Sequence, residues 1–233
     1  MQEAIRGIIE KIAENLTKRF HGNLKCLILY GSWAKGTARQ TSDIDLLAVF
    51  DKSDKEIRKA VADIMGTLET ERSITVLSTS LEEFQKEKIP IYTAVKKEGK
   101  VIYGNADMSV NPEPPEIKYA GFFRDSREFE SRKIRTAEEL LKKDMGYGMA
   151  DFCFVASKHA IQAALAMKGE GYSSKVAVLL PLARKYFGRD IAEAFRTLFD
   201  LYTKSEYGIE SLTEEEAMLA LEHAKKILVV YNK

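Results

Sequence analysis

Asp43 and Asp45 stand one residue apart at the head of 44-IDLLAVF-50, a run that otherwise reads as protein interior. Side chains alternate faces along an extended strand, so the two carboxylates point the same way, roughly 6 to 7 Å apart at two residues' rise. Acids that close repel each other unless something positive sits between them. A divalent cation is the economical answer. Magnesium, or manganese in its place, takes one or two carboxylates and fills its remaining positions with water and substrate phosphate, so a two-aspartate site points to a nucleotide-phosphate site.

The residues upstream fit the same chemistry. In 30-YGSWAKGTARQTSDIDLLAVF-50, Gly31 lets the backbone turn tightly, and Ser32 with the amides of 32-SWAK-35 opens a short helix whose free N–H groups favour a phosphate. Lys35 either contacts phosphate or faces solvent, and Gly36 ends the helix. Ser42 either joins the nucleotide site or caps a turn. Trp33, the only tryptophan, is expected to pack rather than to stack on a base.

The elements that must carry this loop are legible in the apolar spacing. Ile5, Ile8, Ile12, Leu16 and Phe20 form one stripe of a helix over about residues 3–21. The runs 25-KCLILY-30 and 44-IDLLAVF-50 read as buried strands, 55-KEIRKAVADIMGTL-68 as a second amphipathic helix, and 73-SITVLS-78 as a third strand with Ile74 and Val76 on one face. Ser80 and Glu83 form a capping box, Pro90 restarts or kinks the helix that follows, Gly99 ends it, and 100-KVIY-103 is expected as an edge strand. This order indicates an α/β (α+β) domain with a small mixed sheet over residues 1–108.

The segment 104-GNADMSVNPEPPEI-117 holds three of the five prolines, which places a linker at 109–118. Beyond it no strand pattern survives. Helical stripes run over about 119–145, 147–168, 174–187, 190–203 and 213–231, punctuated by glycines such as Gly146 and begun for the last time by a Thr213–Glu216 capping box. They predict an all-α antiparallel bundle over 119–233. Phe122, Phe123, Phe129, Phe152 and Phe154 are assigned to its core, and Arg124, Arg127, Arg132, Lys133 and Arg135, alternating with Asp125, Glu128 and Glu130, to a solvated helix face.

Composition limits the function classes. The 233 residues are 45% apolar and 30% charged, with a net charge of +1, so no broad positive field exists to attract nucleic acid as a partner. No apolar window is long enough for a membrane span, and the amphipathic first twenty residues lack the apolar segment of a signal peptide, so a cytoplasmic protein is expected. Cys26 and Cys153 lie far apart in apolar segments, which favours buried free thiols over a disulfide or a zinc site.

The spacing G-S-x-A-x-G-x5-S-D-x-D, met by Gly31, Ser32, Ala34, Gly36, Ser42, Asp43 and Asp45, resembles the signature of the DNA polymerase beta-like nucleotidyltransferases, in particular their minimal members that accompany helical HEPN domains. The later 95-VKKEGKVIYG-104 is similar to the end of that domain, and 151-DFCFVASKHAIQAALAMKGEGYSS-174 is similar to the HEPN helical hairpin. The resemblance implies that Ser32 holds a triphosphate and that Asp43 and Asp45 ligate magnesium. The implied reaction is attack on the α-phosphorus of a nucleoside triphosphate, ATP first, by the hydroxyl of a small-molecule or protein acceptor. It also implies a homodimer paired through the helical domain.

Two departures from the family pattern stand out. The family takes a third carboxylate from the neighbouring strand, where this chain has Ser73 and Thr75. Glu69, Glu71, Asp151 and Glu206 are the candidate substitutes, and a nucleotide-binding scaffold without turnover is the alternative function. HEPN ribonucleases pair an Arg with a His four to six residues on. None of His21, His159 and His223 has an arginine at that spacing upstream, which argues against RNA cleavage and assigns the helical half to substrate binding or dimerisation. His159, on an alanine-rich helix, is expected in the core or an interface.

Overall fold

The computed structural model describes residues 3–143, 148–208 and 211–232, and the chain divides into two compact units, Met1–Pro112 and Glu113–Lys233. The first unit holds helices α1 (Glu3–Phe20), α2 (Gly31–Lys35), α3 (Lys55–Gly66), α4 (Leu81–Lys86) and α5 (Pro90–Glu98) around strands β1 (Leu24–Tyr30), β2 (Ile44–Phe50), β3 (Ile74–Ser80) and β4 (Lys100–Gly104). The sheet order is β3-β2-β1-β4. β1 pairs antiparallel with β2 and β4, and β2 pairs parallel with β3, so the sheet is mixed and β4 is an edge strand, as expected.

Alternation along the central strands produces two cores. Leu27, Leu29, Ile44, Leu46, Ala48 and Phe50 face one way and meet Ile5, Ile9, Ile12 and Leu16 of α1 and Val61 of α3. Cys26, Ile28, Leu47 and Val49 face the other way and meet Phe84 of α4 with Tyr92 and Val95 of α5. A strand covered on both sides has no room for polar residues, which explains why β1 and β2 read as unbroken apolar runs. Asp45 breaks the pattern at the open end of β2.

The helix boundaries have local causes. Asp54 caps α3 by accepting from the Ile57 amide at 2.8 Å, the Ser80–Glu83 capping box starts α4, and Pro90 occupies the first turn of α5, where its missing N–H costs nothing.

The proline-bearing segment is pinned at its first part. Ala106 and Met108 pack on the core under α4 and α5, and Asn111 donates its amide to Glu87 Oε1 at 2.6 Å. Glu87 is wholly buried, in the left-handed region at φ 50°. Its Oε1 also takes Lys96 Nζ at 2.8 Å, its Oε2 takes Thr93 Oγ1 at 2.6 Å, and Lys96 reaches on to the Ser109 carbonyl at 2.8 Å.

In the second unit, α6 (Pro115–Lys118) is a single turn, followed by α7 (Ala120–Lys142), α8 (Met149–Met167), α9 (Val176–Phe187), α10 (Arg189–Tyr207) and α11 (Glu214–Leu228). α8 is buried over most of its length, with Asp151 and Phe152 exposed near its start, and packs against α7, α9, α10 and α11. The Thr213–Glu216 capping box is present, and α10 runs on to Tyr207. The helix ends expected at 145 and 147 and the break at Gly146 lie outside the described residues.

Two surface assignments need correction. Phe154 is in the core with Phe122 and Phe123 packed against that core, but Phe129 is 52% exposed because the inward stripe of α7 is Glu130, Ile134 and Ala137, and Phe152 lies at the surface because α8 turns Cys153, Phe154 and Ser157 inward. The Phe129 ring carries Lys133 Nζ 4.6 Å from its centroid, which gives it a polar neighbour in solvent. Glu130 was assigned to a solvated face and is instead buried on that inward stripe, where Lys133 and His159 share its carboxylate.

Both cysteines are buried and free, and burial pushes the Cys26 thiol up to about 11 and the Cys153 thiol up to about 12. Among the described residues no helix is long and apolar enough to cross a membrane.

Two outcomes follow. Neither thiol should react with a disulfide reagent at mildly alkaline pH until the protein is unfolded, since the reactive thiolate is absent, and labelling of the native chain checks this. Glu87→Ala leaves Lys96 buried without its counter-charge and should cost about 3–5 kcal/mol, read from a denaturant midpoint of the full chain.

Candidate active site

Asp45 is positioned by the backbone on every side. It lies opposite Tyr30 in the β1–β2 ladder and opposite Thr75 in the β2–β3 ladder. Its carboxylate occupies the space beside Gly31, where an added Cβ would run into Oδ2 and lie 3.3 Å from Cγ. Gly31 sits at φ +70°, a conformation that favours glycine in any case. The turn from β1 into α2 is thus shaped around the acid. Burial holds the Tyr30 phenol far above its usual range and the Asp45 charge adds to this, so Tyr30 stays neutral beside the carboxylate.

Asp43 stands just before β2, is exposed, and among the described residues forms no ion pair with a lysine or arginine. The backbone between the acids is tied to the neighbouring strand where the Ile44 amide donates to the Ser73 carbonyl at 3.0 Å. Upstream, the loop closes on itself: the Ser42 amide donates to the Arg39 carbonyl at 3.0 Å and Ser42 Oγ accepts from the Arg39 amide at 2.9 Å. The Ser42 hydroxyl therefore forms the turn that delivers Asp43.

Trp33 is packed, at 9% exposure, and its indole N–H donates to the Ser42 carbonyl at 3.2 Å. Arg72 lies over the same ring at 5.9 Å and donates from Nη1 to the Gln40 carbonyl. Ser32 is half-buried in the first turn of α2, and its carbonyl accepts the Gly36 amide that closes the helix, with Gly36 left-handed at φ 74°. Lys35 is exposed and paired with Glu98 of α5 at 2.6 Å. No sign of this pairing or of the Arg72 contact was legible in the sequence, because the partners lie tens of residues apart.

The neighbouring strand carries no acid at the two positions in register with the pair. The Ser73 carbonyl meets Ile44 and Thr75 lies opposite Asp45, so a hydroxyl occupies the place expected of a third carboxylate. Among the described residues no group of three acids, histidines or cysteines could hold a metal ion. Hard oxygen donors at an open strand end, one of them in a cradle a Cβ would fill, do suit a two-carboxylate magnesium site.

Residues 10–108 match the family described as polymerase beta, nucleotidyltransferase, and residues 130–233 match the HEPN domain. The chain joins a polymerase beta nucleotidyltransferase domain to a HEPN domain. No curated protein matches by sequence. A spectinomycin adenyltransferase from Enterococcus faecialis, solved with ATP and spectinomycin, has the same fold: TM-score 0.55 and 16% identity, over 97% of this chain and 99% of that one. A nucleotidyltransferase-like protein from Exiguobacterium sibiricum matches at TM-score 0.42 and 13% identity, over 94% of this chain and 74% of that one. A toxin-antitoxin structure with AMP-PNP matches at TM-score 0.31 and 18% identity, over 56% of this chain and 97% of that one.

In the HEPN domain the hairpin read from 151–174 is α8 with the turn into α9. His159 is partly exposed, with Nδ1 3.1 Å from Glu130 Oε1, while Lys133 Nζ lies 2.8 Å from Oε2. The histidine is thus a partner of a buried carboxylate.

Gly31→Ala tests the shaped turn of the nucleotidyltransferase domain. The left-handed backbone alone should cost about 1–3 kcal/mol, and the displaced carboxylate should show as a shifted Asp45 side-chain resonance; an unchanged melting temperature and spectrum would contradict the close approach.

Proposed function

We propose that the first domain transfers a nucleoside monophosphate from a nucleoside triphosphate, ATP being the first to test, to a hydroxyl of an acceptor. One observation carries this reading: the turn after β1 is built around Asp45, which lies in the space left by the missing Cβ of Gly31, at the same strand end as Asp43.

In this reading Ser32 and the backbone of the Gly31–Gly36 turn orient the triphosphate, with Lys35 able to leave Glu98 for a phosphate oxygen because their ion pair is half-exposed. Asp43 and Asp45 would hold magnesium or manganese, which when bound neutralises triphosphate charge and polarises the reacting phosphoryl group. The acceptor oxygen forms a bond to the α-phosphorus as the bond to pyrophosphate breaks. A small molecule or a protein side chain could supply that hydroxyl. Small molecules come first in a screen, since the fold relative from Enterococcus faecialis was solved with spectinomycin. The helical domain would bind the acceptor or pair two copies of the chain.

A second reading has its own observation. Thr75 opposite Asp45 cannot take a proton as a carboxylate would, and a general base typically contributes ~10²–10⁴ in rate. The chain would then bind nucleoside triphosphate without turning it over.

Asp45→Asn separates these readings. If the domain is active, pyrophosphate release should fall by about 10²-fold or more while the melting temperature holds, and unchanged release would overturn the transfer reading. Triphosphate and magnesium binding in the wild type with no pyrophosphate release, across an acceptor screen, would favour the scaffold.

A further inference from the structure

Asp45 is locked by two ladders and by Gly31, but Asp43 precedes the first ladder pair, Ile44 with Ile74. The Ile44 amide, held by the Ser73 carbonyl at 3.0 Å, fixes the strand side of Asp43, and the loop must fix the other side. Repulsion between the two carboxylates would push the looser one outward, and the loop must resist this before any cation arrives. Ser42 and Arg39 close the turn from within, and two further contacts reach it from outside. Trp33, anchored in the core of the α1 face, holds the Ser42 carbonyl through its indole N–H at 3.2 Å. Arg72, just ahead of β3, holds the Gln40 carbonyl through Nη1 and lies over the Trp33 ring at 5.9 Å. The two side chains grip the carbonyls on either side of Thr41, in the turn that Ser42 and Arg39 close, and Asp43 is the next residue.

We infer that Trp33 and Arg72 form a brace that sets the distance and direction of Asp43 relative to Asp45, and so act as positioning residues for the metal–triphosphate site. This rests on the reading of that site proposed above. The brace needs both chemistries of arginine, a flat cation to lie on an indole and a directed donor for a carbonyl, and lysine supplies only a point charge. It also links the entry of β3 to α2, so the strand that lacks the third acid still acts on the site through the residue before it.

The test is Mn2+ binding in the presence of α,β-methylene-ATP, followed by electron paramagnetic resonance, on the full chain and on Trp33→Phe, Arg72→Met, Arg72→Lys and Asp45→Asn. Trp33→Phe keeps a buried aromatic ring but loses the N–H together with part of the indole's volume, so its Mn2+ affinity is read beside its melting temperature. Supporting metal ligands from outside typically governs affinity by 10-fold or more, so Trp33→Phe and Arg72→Met should each weaken Mn2+ by about 10-fold, with Arg72→Lys restoring little. Melting temperatures should move little, and the double variant should be no worse than the weaker single, since both act on one turn. Unchanged Mn2+ affinity in either folded variant, or losses that merely track melting temperature, overturn the brace. If Arg72→Met fails to fold, Trp33→Phe decides alone. Asp45→Asn separates the two levels: if it loses Mn2+ binding while the brace variants keep it, only the brace falls. If Asp45→Asn binds Mn2+ as the wild type does, the site reading falls and the brace with it.

Discussion

The Asp45 carboxylate lies against the backbone of Gly31, in the volume that any other residue would fill with its side chain. That contact fixes the order of events along the chain. The strand must end at Tyr30, the turn must go left-handed at once, and the one-turn helix must start there for the acid to have room. The apolar runs on either side follow from the same demand. Leu46, Leu47, Ala48, Val49 and Phe50 contribute apolar contact on both faces of β2, which helps offset the cost of a half-buried charge at its end.

Much of this was legible because it is local. Strand runs, helical stripes and capping boxes each state their structure within a few residues, and the Gly-Ser loop with its two aspartates is a spacing that few other structures would require. The face shared by Ile74 and Val76, the restart or kink at Pro90 and the edge position of 100–103 came from the same kind of short-range rule. What escaped was long-range and polar. Arg72 gives no local hint that it reaches the Gln40 carbonyl, and Glu87, in a stretch that reads as exposed, is wholly buried against Lys96. Glu130 shows the same failure: an alternation of charges reads as a solvated face, yet the helical period turns one of them inward.

The polar interior is where the two domains differ. In the nucleotidyltransferase domain, Glu87, held by Thr93, and Lys96 bind backbone groups of the segment that follows β4, so a buried charge serves to hold an irregular stretch of chain. In the HEPN domain Glu130 instead joins side chains of α7 and α8, and Tyr231 reaches Ser126 at 2.7 Å. These two contacts tie regular elements to one another, while the buried Gln162 holds the Ser173 carbonyl of the irregular stretch between α8 and α9 at 2.7 Å. Both uses satisfy the charge, which is what keeps burial from being prohibitive.

The burial of α8 on several sides has a consequence for how the chain comes off the ribosome. Its faces are covered by α7, which precedes it, and by α9, α10 and α11, which follow. Until the last of these has been made, a helix rich in alanine and aromatics faces water, and the growing polypeptide carries that sticky surface for the time taken to add some sixty further residues, at about 5–20 residues per second. The sheet domain can close in the meantime, since β4 ends at Gly104. Synthesis in this order leaves α8 waiting longest for the partners that cover it.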